Sequence, residues 1–171
     1  LVEYLEYIEK IDIDFVVNID RCSEYFDILL PLLDKYNLYD KILIKAPVVE
    51  ELVKLDQYPT KYQFMAIVRT LADLEKLESY QNINAVALEL IVNDDFTDFD
   101  NKELILELKE KGYVIWLNAI TLHDQAPLFY NYDDNTVIKS MDFSAWDTLL
   151  SYHADIIQTD WVTIMDKYRH R

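Results

Sequence analysis

Four polar residues stand in strand-like runs that are otherwise apolar, where a parallel α/β chain places its chemistry. Asp20 ends Phe15-Val-Val-Asn-Ile-Asp, and Lys45 stands near the end of Lys41-Ile-Leu-Ile-Lys-Ala-Pro. Glu89 interrupts Ala85-Val-Ala-Leu-Glu-Leu-Ile, and Asn118 closes Tyr113-Val-Ile-Trp-Leu-Asn. A carboxylate at the mouth of an apolar strand is costly unless something cationic neutralises it, so Asp20 calls for a cationic partner. Lys45 reads as a surface lysine at a strand end or as an inward charge kept for a role. Glu89 must either ligate something or pair, with Lys45 or an arginine as the plain alternative. Trp116 and Asn118, two residues apart on a strand, share one face, and Trp116 reads equally as core packing. Gln158-Thr159-Asp160 closes the last apolar run, and Thr159 or Asp160 suits the N-cap of a helix starting at Val162.

Other chemistries are excluded by what is scarce. His123, His153 and His170 have neither the spacing of a zinc site nor the partner of a nucleophilic triad, and read as surface residues. One cysteine allows no internal disulfide and no multi-cysteine metal site. One glycine rules out a glycine-rich phosphate loop.

To hold these residues the sequence predicts strands over residues 12–20, 41–46, 63–68, 84–91, 112–118 and 155–158. Helices are expected between them. Residues 1–10 place Leu1, Leu5 and Ile8 on one face; Phe26, Leu29, Leu30 and Leu33 lie on a helix from Ser23 to about Tyr36, which Pro31 should kink or mark as a false assignment. Further helices are expected at 49–55, 70–79 with Leu71, Leu74 and Leu77 inward, 101–111 with Leu104, Ile105 and Leu108 inward, and 162–168. Gly112 follows Lys109 and Lys111 and suits the left-handed residue that ends a helix. Two stretches read as long loops, Asn93–Asp100 and Thr121–Ser140, both following a strand. The alternation is the signal of an α/β fold with a parallel sheet or barrel, here an incomplete TIM-barrel type of six strands in one domain over residues 1–171.

Apolar residues make up 51 % of the chain, enough for a core. Acidic residues number 32 against 16 basic ones, a formal charge of −16. Such a surface repels phosphate backbones and argues against nucleic acid or an anionic membrane as partner. No apolar run approaches the roughly 20 residues of a transmembrane helix. Any signal peptide would lie upstream, which leaves the compartment, periplasmic or secreted against cytoplasmic, open.

The run Val114-Ile-Trp-Leu-Asn, a long polar loop, the Trp146-x-x-Leu-Leu helix and Ala154-Asp-Ile-Ile-Gln-Thr-Asp together resemble the C-terminal part of the glycerophosphodiester phosphodiesterase family. That resemblance implies a TIM barrel that hydrolyses a small glycerophosphodiester with a divalent metal, calcium or magnesium. A full barrel takes about 250 residues, so the chain is expected to be the C-terminal two-thirds of one. The family's His-Arg-Gly, Glu-x-Asp and second catalytic histidine are absent here, and the catalytic histidines are expected upstream. The family's Asn-Ile-Glu-x-Lys is matched by Asn18-Ile19-Asp20-Arg21-Cys22. The match implies Asp20 as a metal ligand, with Cys22 where the family's phosphate-binding lysine would be and Lys45 as its replacement. It also implies that Trp116 lines the mouth against a glycerol-like group to which Asn118 bonds, with Glu89 among the substrate-binding residues. The alternative is a non-catalytic binding module that kept the barrel and lost the chemistry, as the change of glutamate to Asp20 and lysine to Cys22 suggests.

Overall fold

Continuous runs of Ile, Leu, Val, Phe and Ala become strands, and the amphipathic stretches between them become helices. The computed structural model describes residues 1–11, 15–122 and 126–170. It shows an α/β fold in which six parallel strands alternate with helices. The chain falls into two compact units, Leu1–Ile67 with Ala72–Val86 and Val68–Leu71 with Ala87–Arg171.

The first unit opens with helix α1 (Val2–Lys10), which buries Leu5 and Ile8. Leu1 is 63 % exposed, contrary to expectation, because it precedes the first helical turn and no neighbour covers its side. Strand β1 (Val17–Asp20) is shorter than expected, and residues 12–14 of the anticipated strand lie outside the described residues. After a 3₁₀ turn at Ser23–Tyr25, helix α2 (Phe26–Lys35) continues past Pro31 and buries Phe26, Leu29, Leu30 and Leu33. Pro31 and Asp27, the residue whose carbonyl loses its donor, are both exposed, and the four buried side chains hold the helix to the unit. Strand β2 (Ile42–Pro47), helix α3 (Leu52–Gln57), strand β3 (Gln63–Val68) and helix α4 (Leu71–Ser79) follow. β2 is parallel to β1, with Asp20 opposite Lys45, and β3 is parallel to β2, with Lys45 opposite Met65. Ile42, Leu43, Ile44 and Ala46 on β2 and Phe64 to Val68 on β3 are all buried.

On α4, Leu74 and Leu77 are buried but Leu71 is 43 % exposed, a second correction. As the first helical residue it serves the helix end instead: its N–H donates to Asp98 Oδ2 at 2.8 Å.

The second unit holds most of strand β4 (Asn84–Leu90), helix α5 (Lys102–Glu110), strand β5 (Val114–Asn118), helices α6 (Asp134–Ser140) and α7 (Ser144–Leu150), strand β6 (Ile156–Gln158) and helix α8 (Val162–Arg169). β4, β5 and β6 pair in parallel in chain order. Asn101 caps α5, its side chain accepting from Leu104 N at 3.1 Å, and Ile105 and Leu108 are buried. Gly112 has φ +99° with nothing within 4 Å of where a Cβ would sit, so the backbone angle and not space requires glycine there. The stretch from Thr121 is not all loop: its last seven residues are α6, capped by Asp133, whose side chain accepts from Thr136 N at 2.8 Å.

Candidate functional site

In the first unit the register of β1 on β2 brings two of the expected site residues together. Lys45 Nζ lies 3.2 Å from Asp20 Oδ2. The lysine side chain is 4 % exposed and the aspartate 42 %, so a buried ammonium meets a carboxylate that water still reaches. Directly after Asp20 the chain turns out of the strand. Arg21 takes φ +53°, a conformation that costs a non-glycine residue energy, and its N–H donates to the Lys45 carbonyl at 2.8 Å.

Cys22 then folds back under the strand ends. Its thiol faces the carbonyls of Ile19 (3.5 Å) and Lys45 (3.9 Å), and burial pushes its pKa up to about 11. The thiol is neutral at pH 7 and supplies no charge to a ligand.

For a hard divalent cation the donors must be oxygens. Asp20 supplies a half-exposed carboxylate, and Asn18, two residues earlier on the same face, has a buried side-chain oxygen with no hydrogen-bond partner among the described residues. Asp20 therefore suits the role of one oxygen ligand. Among the described residues no three His, Cys, Asp or Glu side chains gather to hold a metal.

In the second unit β4 and β5 align Glu89 with Trp116. Asn118 Nδ2 donates to Glu89 Oε1 at 2.7 Å, and the Trp116 indole N–H donates to Asn118 Oδ1 at 3.3 Å. Glu89 is 3 % exposed and Asn118 1 %. The two bonds fix the amide's orientation, its oxygen toward the indole and its nitrogen toward the carboxylate, and make these three residues one polar relay at the strand ends.

Beside β6 lies a cavity of about 290 Å³ lined by Trp116, Ile156, Gln158, Thr159, Met165 and Arg169, among others.

The sequence reading missed a buried carboxylate that organises this end of the second unit. Asp134, 4 % exposed, accepts from Trp146 Nε1 (3.0 Å), Thr159 Oγ1 (2.9 Å) and Asp160 N (2.7 Å), while its own N–H donates to the Ala119 carbonyl at 2.6 Å. Burial raises its pKa more than the three donors lower it. It ties the residue after β5 to the residues after β6. Its neighbour Asp133 accepts from the Thr121 hydroxyl as well as capping α6. Asp133, a residue type suited to an N-cap, is the sequence signal for α6 within the stretch expected to be loop.

Thr159 and Asp160 do not cap α8, as had been expected. The N-cap residue is Trp161, without a side-chain cap, and Thr159 Oγ1 instead accepts from Trp161 N at 2.9 Å while donating to Asp134. His153 and His170 are exposed, the latter 3.5 Å from Asp166, and His123 lies outside the described residues. Among the described residues no helix is long and apolar enough to cross a membrane.

No curated protein matches the chain. Residues 64–169 match the family model DUF4996, described as a domain of unknown function. That match takes in strands β3 to β6, the Glu89–Asn118–Trp116 relay and the Asp134 network, and by it the chain belongs to the DUF4996 family.

Proposed function

We propose that the chain is the greater part of a TIM-barrel-type phosphoric diester hydrolase, acting on glycerophosphodiesters with a divalent metal, calcium or magnesium, as part of a longer protein that supplies the catalytic histidines. The observation that carries this reading is the Asp20–Lys45 pair: a buried ammonium and a half-exposed carboxylate at the carboxyl ends of two adjacent parallel strands. Parallel α/β enzymes collect their catalytic groups at that end.

Asp20 would hold the metal, which when bound supplies positive charge opposite the phosphate. Lys45 brings a point charge to the same strand end, where the neutral Cys22 cannot. Its ammonium rests against Asp20 and is poised for a phosphate oxygen that reaches the pair. The resemblance gives Asn118 and Trp116 the role of contacts to a glycerol-like group; in the second unit the Asn118 amide is held between Trp116 and Glu89, and Trp116 is half-buried.

A second reading, a binding module without chemistry, is favoured by Cys22: its side chain is committed to holding a turn rather than to a ligand.

Kinetics in the longer protein separate the two. Changing Asp20→Asn should abolish metal-dependent turnover, and Lys45→Met should lower kcat/KM by about 10² or more, the scale of losing one electrostatic stabiliser. Hydrolysis within a few-fold of the parent after Lys45→Met would remove Lys45 from the reaction.

A further inference from the structure

The cavity beside β6 contains charges of both signs. Arg169 and Asp166, three residues apart on α8, stand on neighbouring positions of one helix face and both line it. Ile156, Met165 and the Trp116 side chain give it an apolar wall, and Gln158 and Thr159 add polar groups at the strand end. Its volume, about 290 Å³, lies at the lower edge of small-molecule sites.

The charges decide what fits. A simple anion would meet Asp166 and the field of a chain with a formal charge of −16, and a simple cation would meet Arg169. A molecule carrying carboxylate and ammonium on one carbon satisfies both. Arg169, among the described residues without a hydrogen bond or ion pair, presents a guanidinium fork matched to a carboxylate. Asp166 has a side chain 70 % exposed, with His170 at 3.5 Å, and offers its carboxylate to an ammonium.

We propose that this cavity binds a small zwitterion of the amino-acid class with an apolar side chain, the carboxylate on Arg169, the ammonium on Asp166 and the side chain against Ile156, Met165 and Trp116. The site goes beyond the phosphodiester reading and does not depend on it.

Leucine, leucinamide and N-acetyl-leucine serve as probes by calorimetry at about pH 6.5, below the ordinary range of an α-amino group so that leucinamide keeps its ammonium, with tryptophan emission as a second readout. Leucine is expected to bind roughly tenfold or more tightly than either derivative, the scale of losing one charge-assisted hydrogen bond. Arg169→Met should erase the preference over leucinamide and keep that over N-acetyl-leucine, and Asp166→Asn should do the reverse. Both positions are exposed on α8, so circular dichroism matching the parent is expected for each variant. Equal affinity for the three probes, variants that leave both preferences intact, or no binding of leucine well above ~1 mM would each overturn the assignment, whether or not the longer protein hydrolyses phosphodiesters.

Discussion

Replacing Asp134 by leucine removes the acceptor of three hydrogen bonds at once: the indole of Trp146, the hydroxyl of Thr159 and the backbone N–H of Asp160. The three losses are unequal. Thr159 and Asp160 lie in the turn after β6, half-buried and exposed respectively, and can find water. Trp146 is fully buried and its N–H cannot. A buried donor left without a partner costs about 1–3 kcal/mol, and hydrogen bonds to a charged group contribute about 1.5–3 kcal/mol each. Relief of the carboxylate's own burial offsets part of this, so a net loss of about 3 kcal/mol is expected. For a chain of this size that lowers Tm by about 6–12 °C.

The mechanism is isolated by a double-mutant cycle with Trp146→Phe, which removes the donor while keeping most of the ring. The double variant should be less destabilised than the sum of the singles by about 1–2 kcal/mol. Urea denaturation followed by far-ultraviolet circular dichroism reads all four proteins. Because the Asp134 pKa is raised on folding, its contribution is present below the ordinary aspartate range and fades as pH rises through the folded value. The stability gap between parent and Asp134→Asn should therefore be wider at about pH 3 than at neutrality. Singles that add within about 0.5 kcal/mol would refute the claim that the Trp146–Asp134 bond holds this end of the unit.

Three further outcomes follow from other parts of the chain. Cys22, buried with its thiol pKa near 11, should react with a thiol reagent at about pH 8 far more slowly than a free cysteine, at a rate that rises with urea; immediate labelling of the native protein would show the turn to be open. Gly112→Ala should cost about 1–2 kcal/mol with an unchanged denaturant slope, since strain at positive φ and no steric clash is the cause; a loss within experimental error would mean the backbone can take another path. Asp34 is raised by burial but lowered further by the hydroxyls of Tyr62 and Tyr58, for a net pKa below the ordinary value. Its contribution is thus present above the ordinary range and lost as pH falls through the folded value, and the gap between parent and Asp34→Asn should close on acidification; a gap that widens in acid would mean that folding raises the Asp34 pKa.

β2 and β3 were legible nearly residue for residue because they are apolar on both faces and bounded by Pro47 and by polar residues. The helices were legible where the periodic positions lie inside them, as with Leu74 and Leu77, and not at their edges, as with Leu1 and Leu71, where a residue on the right face has no neighbour to meet. α6 was hidden because seven residues with two buried positions give too weak a period, and only its cap marks it. The candidate site was legible as residue types but not as pairs. Asp20 meets Lys45 through strand register alone, and Asn118 reaches Glu89 across 29 positions, which no local pattern encodes. Asp134 was invisible for the same reason, its side-chain partners lying 12 to 26 positions away and the need for them appearing only once the carboxylate is buried.

The most direct measurement is phosphorus NMR of a glycerophosphodiester incubated with the longer protein proposed above, in calcium or magnesium and again after chelation. The account predicts conversion to a phosphomonoester and free alcohol with metal present, loss of conversion on chelation, and no conversion by the Asp20→Asn variant in either condition. An unchanged diester resonance with metal present, or conversion that survives both chelation and Asp20→Asn, would contradict it.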